Sequence, residues 1–194
     1  NLRINEEAML VLLREVAEID EVRHLFLSSG LRMELLLKTP RLLETLLRHH
    51  TPGALKIAPE HSDPTILALM NKEPHALLER FVIACREIGK NIGKTIELAP
   101  YLLLSHPGSR PEAVQHLVAD LHRLRLPVRT FQDFTPTPGT LSTAMYVSGK
   151  DPSTRQSIPV PRGHSERMQE RRLVEAYLRQ HSAEKTEKKK TRKR

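Results

Sequence analysis

Four short apolar runs, separated by helix-length amphipathic stretches, set the class of fold open to this chain of 194 residues. The runs are HLFLSSG from His24, ALKIA from Ala54, IELAPYLLLS from Ile96 and VRTFQDF from Val128. The helices around them have apolar residues at helical spacing. Ile4, Ala8, Leu12 and Val16 mark the first, with Val11 and Leu13 widening the stripe, and Leu42, Leu43, Leu46 and Leu47 mark the second, which Thr39-Pro40 opens with Thr as its cap. Ser62-Asp63-Pro64 starts a short helix ending near Asn71. Pro74 starts a longer one, reaching about Ile88, with Leu77, Leu78, Phe81, Val82 and Cys85 on one stripe. Ser109-Arg110-Pro111-Glu112 reads as a capping box for a helix with Val114, Leu117, Val118 and Leu121 inward. Strands alternating with amphipathic helices predict βαβ units and a parallel sheet. Four strands are too few for a closed eight-stranded barrel, so an open α/β sheet and part of a barrel both fit. After Phe134 the texture changes. TPTPGTLST is expected to be irregular, Ser153 to Arg162 extended, and Glu166 to Leu178 a final helix.

Charge and cysteine content narrow the setting. The formal net charge is +8, but Lys185 to Arg194 alone holds seven Lys or Arg against one Glu. Basicity therefore belongs to the tail, and the body is close to neutral. The tail, KTEKKKTRKR, is expected to be disordered and is a candidate for nucleic acid or another acidic surface. Cys85 is the single cysteine, which forms no internal disulfide and suits a cytoplasmic protein. No apolar run approaches the roughly 18 residues of a membrane span, and no secretory signal is expected.

In parallel α/β sheets the reactive groups gather at the carboxyl ends of the strands. Here the four runs end in SSGLR, APEH, SHPGS and DFTPTPG, each polar or rich in Gly and Pro. Alternation puts Leu55 and Ile57 on one face of the second run and Lys56, Ala58 and Glu60 on the other. Lys56 and Glu60 then face an open side or a lumen, or form an internal ion pair. Arg32 sits beyond the end of the first run. Ser105 and His106 are neighbours, with no acid arranged to complete a hydrolase triad. HPGS is weaker than a phosphate loop, and the ten histidines show no metal-ligand spacing.

LKIAPEH, YLLLSHPGS and FQDFTPTPGTLSTAMYVSGKDP, with SSGLR before and VPRGHSERMQ after, resemble the YgiQ-type radical SAM protein family. The resemblance runs from about Leu2 to about Leu178. It implies a radical S-adenosylmethionine (SAM) fold, a partial parallel (β/α)6 barrel. Residues 1–150 would be its C-terminal half, 151–181 an extension with one helix, and 182–194 a basic disordered tail. In such proteins a CxxxCxxC motif holds a 4Fe-4S cluster, at which SAM is cleaved to a 5′-deoxyadenosyl radical. That motif is missing here, and so are the first barrel strands. The resemblance therefore implies a partner, the N-terminal half of the barrel, and no activity for this chain alone. By position it makes Lys56, Glu60, Arg32, Ser105, His106 and Gln132 candidates for SAM contact, with the substrate unspecified. Two other functions compete: an RNA- or ribosome-associated protein binding through its tail, and a degenerate fragment with a structural role.

Overall fold

The computed structural model describes residues 4–28 and 30–191, with backbone alone from 181 onward. The elements in chain order are α1 (Glu6–Ala17), α2 (Met33–Leu37), α3 (Pro40–His49), β1 (Ala54–Glu60), α4 (Pro64–Leu69), α5 (His75–Asn91), β2 (Glu97–Leu104), α6 (Pro111–Arg123), β3 (Thr130–Asp133), α7 (Leu141–Ser148) and α8 (His164–Thr191). The strands form one sheet in the order β1-β2-β3. β2 and β3 run parallel, pairing Tyr101 with Thr130, Leu102 with Phe131, Leu103 with Gln132 and Leu104 with Asp133. Each strand-to-strand step passes through a helix, so the alternation read from the sequence is the architecture found.

The first expected strand does not form. Residues 24–28 have no ladder. The Leu27 amide donates to the His50 carbonyl and the Leu31 amide to the Lys56 carbonyl, each at 3.2 Å. Leu31 opposite Ile57 is only an isolated parallel bridge. Two bonds four residues apart cannot register a strand, which needs consecutive pairs.

The chain divides into two compact units, Asn1–Ala58 with Ala76–Ala99, and Pro59–His75 with Pro100–Arg194. In the first unit α3 packs on α1 and on α2. Leu43, Leu46 and Leu47 of α3 are buried, as are Leu55 and Ile57 of β1. Lys56 lies between those two and is exposed, as the strand alternation requires. On α1 one edge of the expected stripe turns inward: Leu13 is the buried residue, while Ile4 and Leu12 are 42% and 53% exposed. The helix packs on α3, and the buried part of its stripe is the Leu13 edge. α5 buries Leu78, Phe81, Val82 and Cys85 as expected. It closes in a Schellman turn, with the Lys94 amide on the Gly89 carbonyl (2.8 Å), the Gly93 amide on the Lys90 carbonyl (3.2 Å), and Gly93 at φ +65°.

In the second unit α6 packs on α8. Val114, Leu117 and Leu121 of α6 are buried, and so are Val174 and Tyr177 of α8. Two expected caps are used differently. The Thr39 hydroxyl, in the first unit, donates back to the Leu35 carbonyl (3.0 Å) and does not cap α3. Arg110, not Ser109, is the N-cap of α6, and no side chain bonds there. Ser109 is instead buried beside an acid from α8, described below. The TPTPGTLST stretch contains the start of α7, whose first turn Thr140 caps through the Thr143 amide (3.2 Å). Thr143 shares that network, its hydroxyl 2.8 Å from that of Thr140, and a local Thr ladder outweighs the Pro-Gly signal. α8 continues past the expected end at Leu178, and its helical backbone runs to Thr191 through most of the segment expected to be disordered.

Candidate functional site

The carboxyl end of β2 is the most constrained place in the second unit. The strand stops at Leu104, whose carbonyl accepts the Phe134 amide (2.7 Å) just beyond β3. Ser105 then turns the chain with φ +58°, a left-handed conformation costly for a residue with a Cβ. Glu170 of α8 holds it there. Its Oε2 accepts the Ser105 amide at 2.7 Å and the Ser105 hydroxyl at 3.2 Å. Both residues are 1% exposed. Burial pushes the Glu170 carboxyl above its usual range and nearby Asp133 adds to this, while the Ser109 hydroxyl and the two Ser105 donors pull it back.

His106 is also buried. Its Nδ1 lies 2.7 Å from the Pro107 carbonyl, which can only accept, so Nδ1 carries hydrogen. The neutral ring then accepts at Nε2 from the Ser142 hydroxyl of α7 at 2.8 Å. Burial lowers this imidazole's pKa and keeps it neutral. Phe134 stands edge-on to the ring at 5.3 Å. Gly108 donates to the Pro159 carbonyl at 2.7 Å. Its φ is +98°, and a Cβ there would lie 2.4 Å from Leu69 Cδ1.

At the end of β1, Glu60 has φ +63° and pairs with Lys72 at 3.5 Å. Burial raises its pKa against the pull of that lysine. His61, 1% exposed, accepts the Asp63 amide at Nδ1 (3.0 Å), so its hydrogen is on Nε2. Nε2 is buried and has no hydrogen-bond partner among the described residues. Burial lowers this imidazole to about 4, opposed by Asp63 and helped by His106 and His75. At the end of β3, Asp133 Oδ2 accepts Arg171 Nη1 of α8 at 2.8 Å.

The six sequence candidates fall in different settings. Ser105, His106 and Glu60 occupy the buried or half-buried strand ends of the second unit. Gln132 is exposed on β3 and accepts from the Tyr101 hydroxyl of β2 at 2.5 Å. Lys56 and Arg32 belong to the first unit and are exposed, Arg32 lying 4.0 Å from Glu34. Sequence reasoning missed Glu170 and Ser142. Glu170 is one acid among many charges in ERMQERR, and Ser142 lies in a stretch read as irregular. Neither has a local signal, because each acts across a long chain separation. Ser105, His106 and Glu170 form no hydrolase triad, since the acid bonds Ser105 and not His106.

The implied cofactors can be set against these donors. A 4Fe-4S cluster takes several thiolates. Cys85 is fully buried in α5, and burial pushes its thiol up to about 12. This chain does not fit the cluster. SAM is different, because its adenosine half is rich in acceptors. A buried, unpartnered imidazole N–H at His61, beside the turn after β2, is a donor of the type such a ligand needs.

The fold is shared with radical SAM enzymes. The coproporphyrinogen III oxidase HemN of Escherichia coli, described as a radical SAM enzyme, superposes with a TM-score of 0.63 at 12% identity, over 92% of this chain and 38% of HemN. A UPF0313 protein of Clostridium botulinum is 37% identical over 177 residues, 90% of this chain and 27% of the relative. A UPF0313 protein of Geobacter sulfurreducens is 39% identical over 173 residues, 89% of this chain and 29% of the relative. Over nearly all of its length the chain is similar in sequence to these UPF0313 proteins, as its motifs imply, and its fold is that of HemN. It spans less than a third of the length of these two relatives. A family described as "Domain of unknown function (DUF3362)" also matches residues 129–190, from just before β3 into α8.

Proposed function

We propose that this chain is the C-terminal portion of a radical SAM enzyme, supplying a wall that binds the nucleoside part of SAM. The reading is carried by His61 Nε2, a buried donor without a partner at the strand ends of a radical SAM-type fold. The cluster and its reduction belong to polypeptide outside this chain, which acts as partner in a cytoplasmic enzyme. Ser105, His106 and Glu60 contact the cofactor or shape its pocket, and Gln132 extends that wall; Lys56 and Arg32 are candidate contacts of the first unit by itself.

Titrating the ¹⁵N-labelled chain with SAM tests this. Shifts at His61 and at residues 105–109, lost in His61→Phe, support the reading. No shift at any strand end at millimolar SAM overturns it for this chain. A second reading rests on the charge held in the last ten residues: the basic end binds RNA. RNA affinity that falls with salt and is lost on removing the residues after His181 supports that, and affinity unchanged by the truncation removes it.

A further inference from the structure

The turn after β2 is fixed almost entirely from one later part of the chain. Ser105 is bonded twice by Glu170, His106 by Ser142, and Gly108 by the Pro159 carbonyl. Ser109 is buried near the same carboxylate, but its hydroxyl makes no hydrogen bond among the described residues. These tethers come from α7, the following loop and α8, within the segment matched by the family of unknown function. α8 is itself anchored at two positions beyond Glu170. Arg171 bonds Asp133 at 2.8 Å, and the buried Tyr177 hydroxyl bonds the Leu126 carbonyl at 2.7 Å.

Such a turn cannot set itself. Ser105 adopts a left-handed conformation that L-residues avoid, at a cost of about 1–2 kcal/mol, and no ladder bond is available to its amide past the strand end. A buried carboxylate receiving both the amide and the hydroxyl of one residue fixes that backbone more firmly than a neutral acceptor, because bonds to an ionised group are roughly twice as strong. The conformation of Ser105 also sets the direction in which the chain delivers His106.

We propose that residues 129–190 act as a mould for the Ser105–Ser109 turn, with Glu170 the positioning residue that sets the groups this turn offers to a ligand. This gives the segment a role in building the binding wall rather than in carrying a separate activity. The identity of the ligand as SAM rests on the preceding reading; the moulding itself does not.

The test compares Glu170→Ala, Glu170→Gln and, as a control, Tyr177→Phe in the full chain, by amide hydrogen exchange and SAM titration. Glu170→Ala is expected to speed exchange at the Ser105 amide roughly tenfold relative to the rest of the sheet. Glu170→Gln retains an acceptor and is expected to restore protection to within about threefold of the parent. Tyr177→Phe is expected to act evenly, without singling out Ser105. SAM affinity is expected to fall with Glu170→Ala and recover with Glu170→Gln. Ser105 exchange unchanged by Glu170→Ala, or accelerated no more selectively than by Tyr177→Phe, overturns the proposal. If Glu170→Ala does not fold, Glu170→Asp is read by the same criteria, since it withdraws the carboxylate by one methylene and keeps the charge. Absence of SAM binding in the parent chain sinks the cofactor reading alone, and the exchange data still decide the mould.

Discussion

The Tyr177 hydroxyl donates a 2.7 Å hydrogen bond to the Leu126 carbonyl, and both residues are buried. The bond ties α8 to the chain just past α6, and the Tyr177 ring meets His122 edge-on at 4.5 Å. Tyr177→Phe keeps the ring and leaves a buried carbonyl without this donor. The expected loss is about 1–2 kcal/mol, read as a lower urea midpoint with an unchanged slope.

Arg125 closes α6 with the same turn that Gly93 closes α5. Its amide reaches the His122 carbonyl (3.1 Å), and the Leu126 amide reaches Leu121 (3.0 Å). The residue in the left-handed position, at φ +51°, is here an exposed arginine. Arg125→Gly is expected to stabilise the protein by about 1 kcal/mol, measured by chemical denaturation.

Acid should unfold the protein partly through His61. Its folded pKa is about 4, below the ordinary 6.5, so the unfolded chain binds the proton more readily. The stability linked to this group is present above pH 6.5 and is lost as pH falls toward 4, by roughly 3 kcal/mol in total. His106 shifts in the same direction. His61→Asn keeps an acceptor for the Asp63 amide and cannot titrate in this range. Its stability should fall less between pH 6.5 and 4 than that of the parent; an identical pH profile would contradict the assignment.

Gly108 carries two costs for any side chain, and they can be separated. The near atom is the tip of a flexible leucine, which can move, whereas φ +98° strains every L-residue. Gly108→Ala should therefore lose about 1–2 kcal/mol, and adding Leu69→Ala should fail to restore it. Full recovery in the double variant would place the cost in the contact instead.

What could be read from sequence alone was set by the range of the forces involved. The α5 stripe and the β1 alternation at Leu55, Lys56 and Ile57 are local patterns, and the structure repeats them. The strand at residues 24–30 failed because strand formation depends on a neighbour, and apolar content does not supply one. The α1 stripe held at its Leu13 edge and not at Ile4 or Leu12, since the packing partner decides which part of a wide apolar stripe is covered. Ser105 and His106 were legible as polar residues ending a strand. Their partners were not, because Glu170 stands 65 residues from Ser105 and Ser142 stands 36 from His106.

The burial of Cys85 has a practical consequence. A fully shielded thiol with its pKa near 12 is thiolate in roughly one molecule in 10⁵ at neutral pH, so thiol reagents will pass it by. The wild-type chain is thus its own blank for site-directed labelling. A fluorophore or spin label on a cysteine introduced at exposed Lys56 would report from that position alone, with no background to subtract.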